Sequence, residues 1–221
     1  MAEEDPNDEA RKALANDALL DLQDDGIPAE ARDAILQLLN QIGTLRAEIE
    51  ANNARIAELE DLADKDPLAP VVNRRAFARE LERTKAYVDR YGSGASLIYL
   101  DVDGLKDIND RYGHATGDKV LLAVAETLVA NIRSSDLVGR LGGDEFGIIL
   151  SRANRATAEE KADLLTRLVA DLTIDGDGAP LALSIPCGIV ELKGFDDATA
   201  ALAAADRAMY DRKQPKHDGA S

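Results

Sequence analysis

The stretch Arg140-Leu-Gly-Gly-Asp-Glu-Phe-Gly-Ile-Ile-Leu150 sets two apolar runs on either side of a Gly-Gly pair that is followed at once by two acids. Runs joined by a short Gly-Gly connection predict a β-hairpin. Its glycines permit unusual dihedrals and close approach of a ligand, so Asp144 and Glu145 are presented where a metal can be held near a phosphate. Taken alone, the pattern is equally that of a good turn with solvated acids. A second acidic cluster tips the balance: Leu97-Ile-Tyr-Leu-Asp101-Val-Asp103 ends an apolar run on carboxylates. An acid at a strand end, facing a hairpin that carries two more, is how hard oxygen ligands for Mg²⁺ are assembled from distant sequence.

Composition narrows the partners. The 221 residues allow one ordinary domain with an appendage, and the formal charge is −16. That charge counts against a nucleic-acid partner, which calls for a basic footprint, and leaves any anionic substrate to local cations or a metal. A single cysteine, Cys187, cannot form an intramolecular disulfide and reads as a small buried hydrophobe. No apolar run approaches the roughly 20 residues that span a bilayer, and the acidic start Met-Ala-Glu-Glu-Asp lacks the basic beginning of a signal peptide. The expectation is a cytoplasmic protein with no membrane partner.

The N-terminal part predicts helices. Residues 7–24 carry early acids and a thin apolar stripe of Ala10, Leu14 and Ala18, and Gly26-Ile27-Pro28 then punctuates the chain. From Ile35 the stripe runs Leu38, Ile42, Leu45, Ile49, Asn52, Ile56, Leu59 and Ala63, alternating steps of three and four. A heptad kept for about four repeats predicts a coiled coil; the plainer alternative is one amphipathic helix lying on its own domain. Asn52 in the seam suits a parallel homodimer, since a buried Asn penalises misaligned registers. The first helix can fold back on the second to make a four-helix bundle. Residues 1–65 therefore read as a helical hairpin or coiled-coil dimerisation stalk, ended by Pro67 and Pro70.

Beyond it the pattern mixes elements. Asn73 can cap a helix bearing Phe77, Leu81, Thr84, Val88 and Tyr91; Ala95 to Leu100 is a strand; Asp118 opens a helix bearing Leu121, Val124, Ala125, Leu128 and Ile132. The hairpin follows, then a helix with Ala162, Leu165, Val169 and Leu172, a strand over 181–192 made irregular by Pro186, and a last helix from about Asp196 to Lys213. One sheet with helices packed on it, an α+β architecture, accommodates this.

The runs Asp101-Val-Asp103-Gly-Leu-Lys106-Asp-Ile-Asn109-Asp, Gly113-His114-Ala-Thr-Gly117-Asp118 and Gly142-Gly-Asp-Glu-Phe146 resemble the successive signatures of the GGDEF diguanylate cyclases. Asp66-Pro-Leu68 and Asn73-Arg-Arg75 also match, whereas Ala69-Pro-Val-Val72 departs from the family's usual segment and Leu105 stands where a Phe is usual. The resemblance implies a palm-like fold, shared with nucleotidyl cyclases and ferredoxin-like sheets, over residues 66–221. It also implies condensation of two GTP to cyclic di-GMP with release of two pyrophosphates across a homodimer. Mg²⁺ would be the cofactor, two ions per site with Mn²⁺ as a substitute. No Gly-x-x-x-x-Gly-Lys-Ser/Thr is present, so a P-loop is not the phosphate grip.

The residues divide by role on that basis. Asp101, the Val102 carbonyl, Asp144 and Glu145 are the expected metal ligands, with Asp144 also placed to take the 3′-hydroxyl proton. Strand alternation turns Asp103 away from Asp101, so Asp103 stays outside the site. Lys106 is either a solvated lysine or a neutraliser of phosphate charge, and the resemblance implies the second. Asp118 can accept from the N1–H and N2–H of guanine, and Asn109 can donate and accept, although helix capping and a turn amide are their plain alternatives. His114 is given a substrate-pocket role, and Lys213 matches a late phosphate-binding lysine. The arginine usual beyond it is absent, with Lys216 or His217 near its place. Arg133-Ser-Ser-Asp136 is either a local ion pair or, at the offset of the family's inhibitory site, a binding site for the product. The rival functions are a catalytically inactive cyclic di-GMP receptor and a coiled-coil scaffold, and a protein partner on the N-terminal helices is a further expectation.

Overall fold

The computed structural model describes residues 28–213, and the chain divides into two compact units between Glu60 and Asp61. The expected first helix, the punctuation at Gly26-Ile27, Lys216 and His217 lie outside the described residues. Helix α1 (Ala29–Asp64) is the described element of the first unit. Pro28 just precedes it, and its carbonyl accepts from the Ala31 and Arg32 N–H groups, which suits a residue that lacks a donor of its own. Leu38, Ile42, Leu45, Ile49 and Ile56 are 44–57% exposed. No helix there is long and apolar enough to cross a membrane.

The second unit is built on strand β1 (Ala95–Asp101), buried at every position. Strand β3 (Glu145–Ser151) and strand β6 (Cys187–Glu191) flank it, and β2 (Leu137–Arg140) lies outside β3, all antiparallel. Leu97 and Tyr99 point into a core with Phe77 and Leu81 of helix α2 (Arg74–Tyr91) and Ala201, Ala205 and Met209 of helix α6 (Ala198–Lys213). Ile98 and Leu100 point the other way, onto Val124 and Leu128 of helix α4 (His114–Ala130) and Leu165 of helix α5 (Arg155–Ala170). A strand covered on both faces has no solvent side, hence its unbroken apolar run. The short helix α3 (Leu105–Tyr112) joins β1 to α4, and a two-stranded ribbon pairs β4 (Asp175–Gly176) with β5 (Ala179–Pro180).

Local chemistry explains most boundaries. Asn73 caps α2, its side chain accepting from the Ala76 N–H, and Gly92 closes the helix in the left-handed region at φ 67°. Gly139 and Gly147 are directly paired across β2 and β3, and a Cβ on either would collide with the Phe77 ring. The two glycines form the slot that fully buries Phe77.

Two expected boundaries move. Helix α4 begins at His114 instead of Asp118, because Gly113 at φ 83° starts a new turn and its carbonyl already accepts from Thr116 and Gly117. Asp118 therefore sits in the second turn and does not cap. The strand predicted over 181–192 is reduced to β6. Pro186 has no donor for the ladder, and only single bonds persist there, Asp101 N–H to the Pro186 carbonyl at 3.3 Å and Asp103 N–H to the Ser184 carbonyl at 2.9 Å.

Candidate active site

The hairpin is present, but its connection is wider than a two-residue Gly-Gly turn and spans 141–144, with Leu141 N–H donating to the Glu145 carbonyl at 2.8 Å. Neither Gly142 nor Gly143 has a positive φ. Gly142 answers a close approach instead, since a Cβ there would overlap Glu145 Oε2, so the Glu145 side chain folds back over the turn. Every backbone carbonyl from Leu141 to Glu145, save that of Gly142, is taken. Arg74 Nη1 donates to Leu141 O at 3.3 Å, Arg140 Nη2 to Gly143 O at 2.7 Å, and Val102 N–H to Asp144 O at 3.0 Å. With the turn held from outside, the Asp144 carboxylate makes no hydrogen bond or ion pair among the described residues and stays free for chemistry.

Asp101 ends β1 directly opposite Glu145 in the register, and the Val102 to Asp144 bond extends that pairing by one step. The Asp101 side chain is almost buried and meets the Lys213 ammonium. Asp103 reaches the same ammonium at 2.9 Å, while Ser184 Oγ donates to its other oxygen at 2.9 Å. The expectation that Asp103 turns away is thus corrected. Strand geometry stops at Asp101, and the chain bends through Asp103 to Gly104 at φ 72°, so the period of two no longer applies. The Asp101 hydrogen bond first, then that of Asp103, holds the Lys213 ammonium above the usual lysine range. Burial first, and then the neighbouring Glu145 carboxylate, pushes the Tyr99 hydroxyl above the ordinary phenol range.

Among the described residues no three His, Cys, Asp or Glu side chains converge as a ligand cluster. Mg²⁺ does not need one, because it is commonly held by one or two carboxylates with water and substrate phosphates. A nearly buried strand-end carboxylate, already answered by a cation and next to the free Asp144 acid, is a donor set that fits such an ion.

On the other side of Asp144 opens a cleft of about 400 Å³ lined by Lys106, Asn109, His114, Asp118, Arg140 and Asp144. The structure therefore brings Lys106, Asn109, His114, Asp118 and Asp144 to one wall, and leaves Lys213 away from it, on the Asp101–Asp103 pair. Asn109 and Asp118 come together because α3 and α4 meet at Gly113, and Gly117 lets them: a Cβ there would overlap Asn109 Oδ1. Among the described residues, the cleft side chains of Lys106, Asn109, His114 and Asp118 spend no hydrogen bond.

The Arg133–Asp136 segment is a separate turn. Asp136 Oδ2 accepts from the Arg133 N–H and Oδ1 from the Ser151 N–H, both at 3.1 Å, so its carboxylate ties the turn to the end of β3. The guanidinium of Arg133 is exposed and makes no ion pair with it, against the local-pair alternative.

Sequence reasoning assigned no role to Arg140. It is the brace of the turn, with Nε and Nη2 on Gly143 O and Nη1 on Asp66 Oδ1 at 3.2 Å. Asp66 in turn accepts from the Leu68 and Ala69 N–H groups, while Val72 exchanges backbone bonds with β2. The segment that departs from the family pattern is hence built into the domain, with Ala69 and Val71 buried. The charge of Arg140, next to the glycines, was the signal available.

Comparison with known proteins gives the family. The model of the diguanylate cyclase GGDEF domain matches residues 63–218. The diguanylate cyclase TpbB of Pseudomonas aeruginosa is 35% identical over 180 residues, 80% of this chain and 40% of that one. DosC of Escherichia coli, also a diguanylate cyclase, is 35% identical over 67% of this chain and 33% of its own length. The chain thus spans well under half the length of these curated relatives. Among solved structures, the coiled coil and GGDEF domain of DgcB from Caulobacter crescentus in complex with c-di-GMP superposes with a TM-score of 0.70 at 26% identity, covering 80% of this chain and 94% of that one. The diguanylate cyclase SiaD from Pseudomonas aeruginosa, in complex with its activator SiaC, matches at a TM-score of 0.65 and 27% identity over 94% of this chain and 84% of that one. With its free acid on a braced turn, its strand-end carboxylate and an α+β sheet carrying both, the chain belongs to the GGDEF diguanylate cyclase family.

Proposed function

We propose that this protein is an active diguanylate cyclase, joining two GTP into cyclic di-GMP with release of two pyrophosphates. The observation that carries the reading is the free Asp144 carboxylate on a turn whose backbone is held by Arg74, Arg140 and Val102. Asn109 and Asp118 take the guanine edge in the cleft, with His114 beside them and Lys106 facing the phosphates. Asp144 removes the proton of the 3′-hydroxyl, the oxygen bonds to the α-phosphorus of the opposing GTP, and the bond to pyrophosphate breaks; the same exchange on the other side closes the ring. Asp101, the Val102 carbonyl, Asp144 and Glu145 would hold Mg²⁺, which lowers the pKa of the attacking hydroxyl and offsets charge on the leaving pyrophosphate.

Each protomer presents only half of the reacting pair, so two copies must face one another. The exposed stripe of α1, with Asn52 in it, is the surface assigned to that pairing, and residues 1–65 are the stalk and 66–221 the catalytic domain. Arg133 and Asp136 form the product-binding inhibitory site, and the match to SiaD with its activator supports a protein partner for the N-terminal helices.

The test is incubation of the purified protein with GTP and Mg²⁺ and chromatography of the products. Cyclic di-GMP that rises more steeply than in proportion to protein concentration is expected. Its absence at micromolar protein overturns the reading.

A further inference from the structure

The Lys213 ammonium is the one cation at the strand-end acids among the described residues, and it contacts both of them: Asp101, and Asp103 at 2.9 Å. The Asp101 side chain is only 12% exposed, so water offers its charge little. Asp103 is fixed from behind, donating to the Ser184 carbonyl and accepting from Ser184 Oγ, each at 2.9 Å. A divalent ion on Asp101 needs the oxygen lone pairs that the ammonium now uses, and two cations on one small carboxylate repel. Lys213 reaches this place on a flexible stem from the last turn of α6 and is 41% exposed, so it can leave without moving the helix.

Resting on the reading of Asp101 as a metal ligand, we propose that Lys213 is the resident counter-ion of Asp101 and Asp103 in the nucleotide-free chain. It competes with the divalent ion for Asp101 and is drawn off by the incoming phosphates. In either state each charge has an answer: ammonium on the acids before loading, metal on the acids and ammonium on phosphate after it. Metal and nucleotide are then coupled, each tightening the other by the same factor. The bare site holds divalent ions only weakly. An arginine here would grip a carboxylate in two-pronged fashion and yield less readily than a point charge.

The test is Mn²⁺ binding to the full chain, by calorimetry or by the spectrum of free Mn²⁺, with and without a GTP analogue that cannot release pyrophosphate. The native chain binds Mn²⁺ weakly alone and on the order of ten-fold more tightly with the analogue, the scale on which groups around metal ligands change affinity. Lys213→Gln and Lys213→Met bind it about ten-fold more tightly without nucleotide and lose most of the coupling. Lys213→Arg stays weak. If both neutral variants bind Mn²⁺ as the native chain does, while Asp101→Asn abolishes binding, the counter-ion role is wrong and the metal reading stands. If Asp101→Asn leaves Mn²⁺ binding unchanged, both fail.

Discussion

Two turns of this domain carry an aspartate, and they use it in opposite ways. At 133–136 the carboxylate is the fastening: both oxygens of Asp136 accept backbone N–H groups, one within the turn and one from β3. At 141–145 the fastening comes from elsewhere, through Arg74, Arg140 and Val102, and the Asp144 carboxylate is left over. A turn acid is available for chemistry when other groups have satisfied its turn, and it is structural when it does that work itself. Both turns read alike in sequence, as a polar stretch ahead of an apolar run.

The contrast breaks most visibly at Asp144. Asp144→Asn is expected to lower cyclic di-GMP formation by about 10²–10⁴-fold, the range of a lost general base. The melting temperature should not change, because that side chain fastens nothing; a fall of several degrees would abolish the distinction between the turns. Gly142→Ala comes next. The new methyl overlaps Glu145 Oε2, and displacement of an acid beside the reacting groups should cost roughly 10-fold or more in kcat. Circular dichroism should show an intact fold, since an ordinary φ at 142 tolerates alanine.

Asp136→Ala tests the structural side. It strands two backbone donors and should cost about 1–3 kcal/mol, read as a fall in melting temperature of about 2–4 °C for each kcal/mol in a chain of this size. The smallest effect on the fold belongs to Arg133→Ala: stability within about 0.5 kcal/mol of the native chain, with product inhibition lost. Inhibition that persists in Arg133→Ala would remove this turn from the product-binding site.

Local rules carried the reading far. Asn73 is a cap because an Asn before an apolar-periodic run accepts from the first turn, and β1 is where an unbroken apolar run of strand length placed it. Asp101 and Asp144 stand out in sequence as acids at the ends of apolar runs, whereas Asn109 and Asp118 stand out only through the family resemblance. The failures have other causes. Strand alternation sets Asp103 aside but ends two residues earlier, a helix opened at Asp118 is pre-empted by Gly113, and Arg140 gains no role because its partner Asp66 lies 74 residues away. Asp103 and Arg140 depend on bonds between segments distant in sequence, which no window of periodicity contains, whereas the start of α4 is set locally by the Gly113 carbonyl.

The chain's own order of residues determined the hairpin, the strand that delivers Asp101, the stripe along α1 and the acidic character of the site, because period, capping and turn chemistry act over a few neighbours. Tertiary structure alone decided which acids are free. Among the described residues Asp136 is committed, Asp101 and Asp103 share the Lys213 ammonium, and Asp144 remains open. The availability of a carboxylate is a matter of which donors fold up against it, and those donors come from α2, β2, β3 and α6 at once.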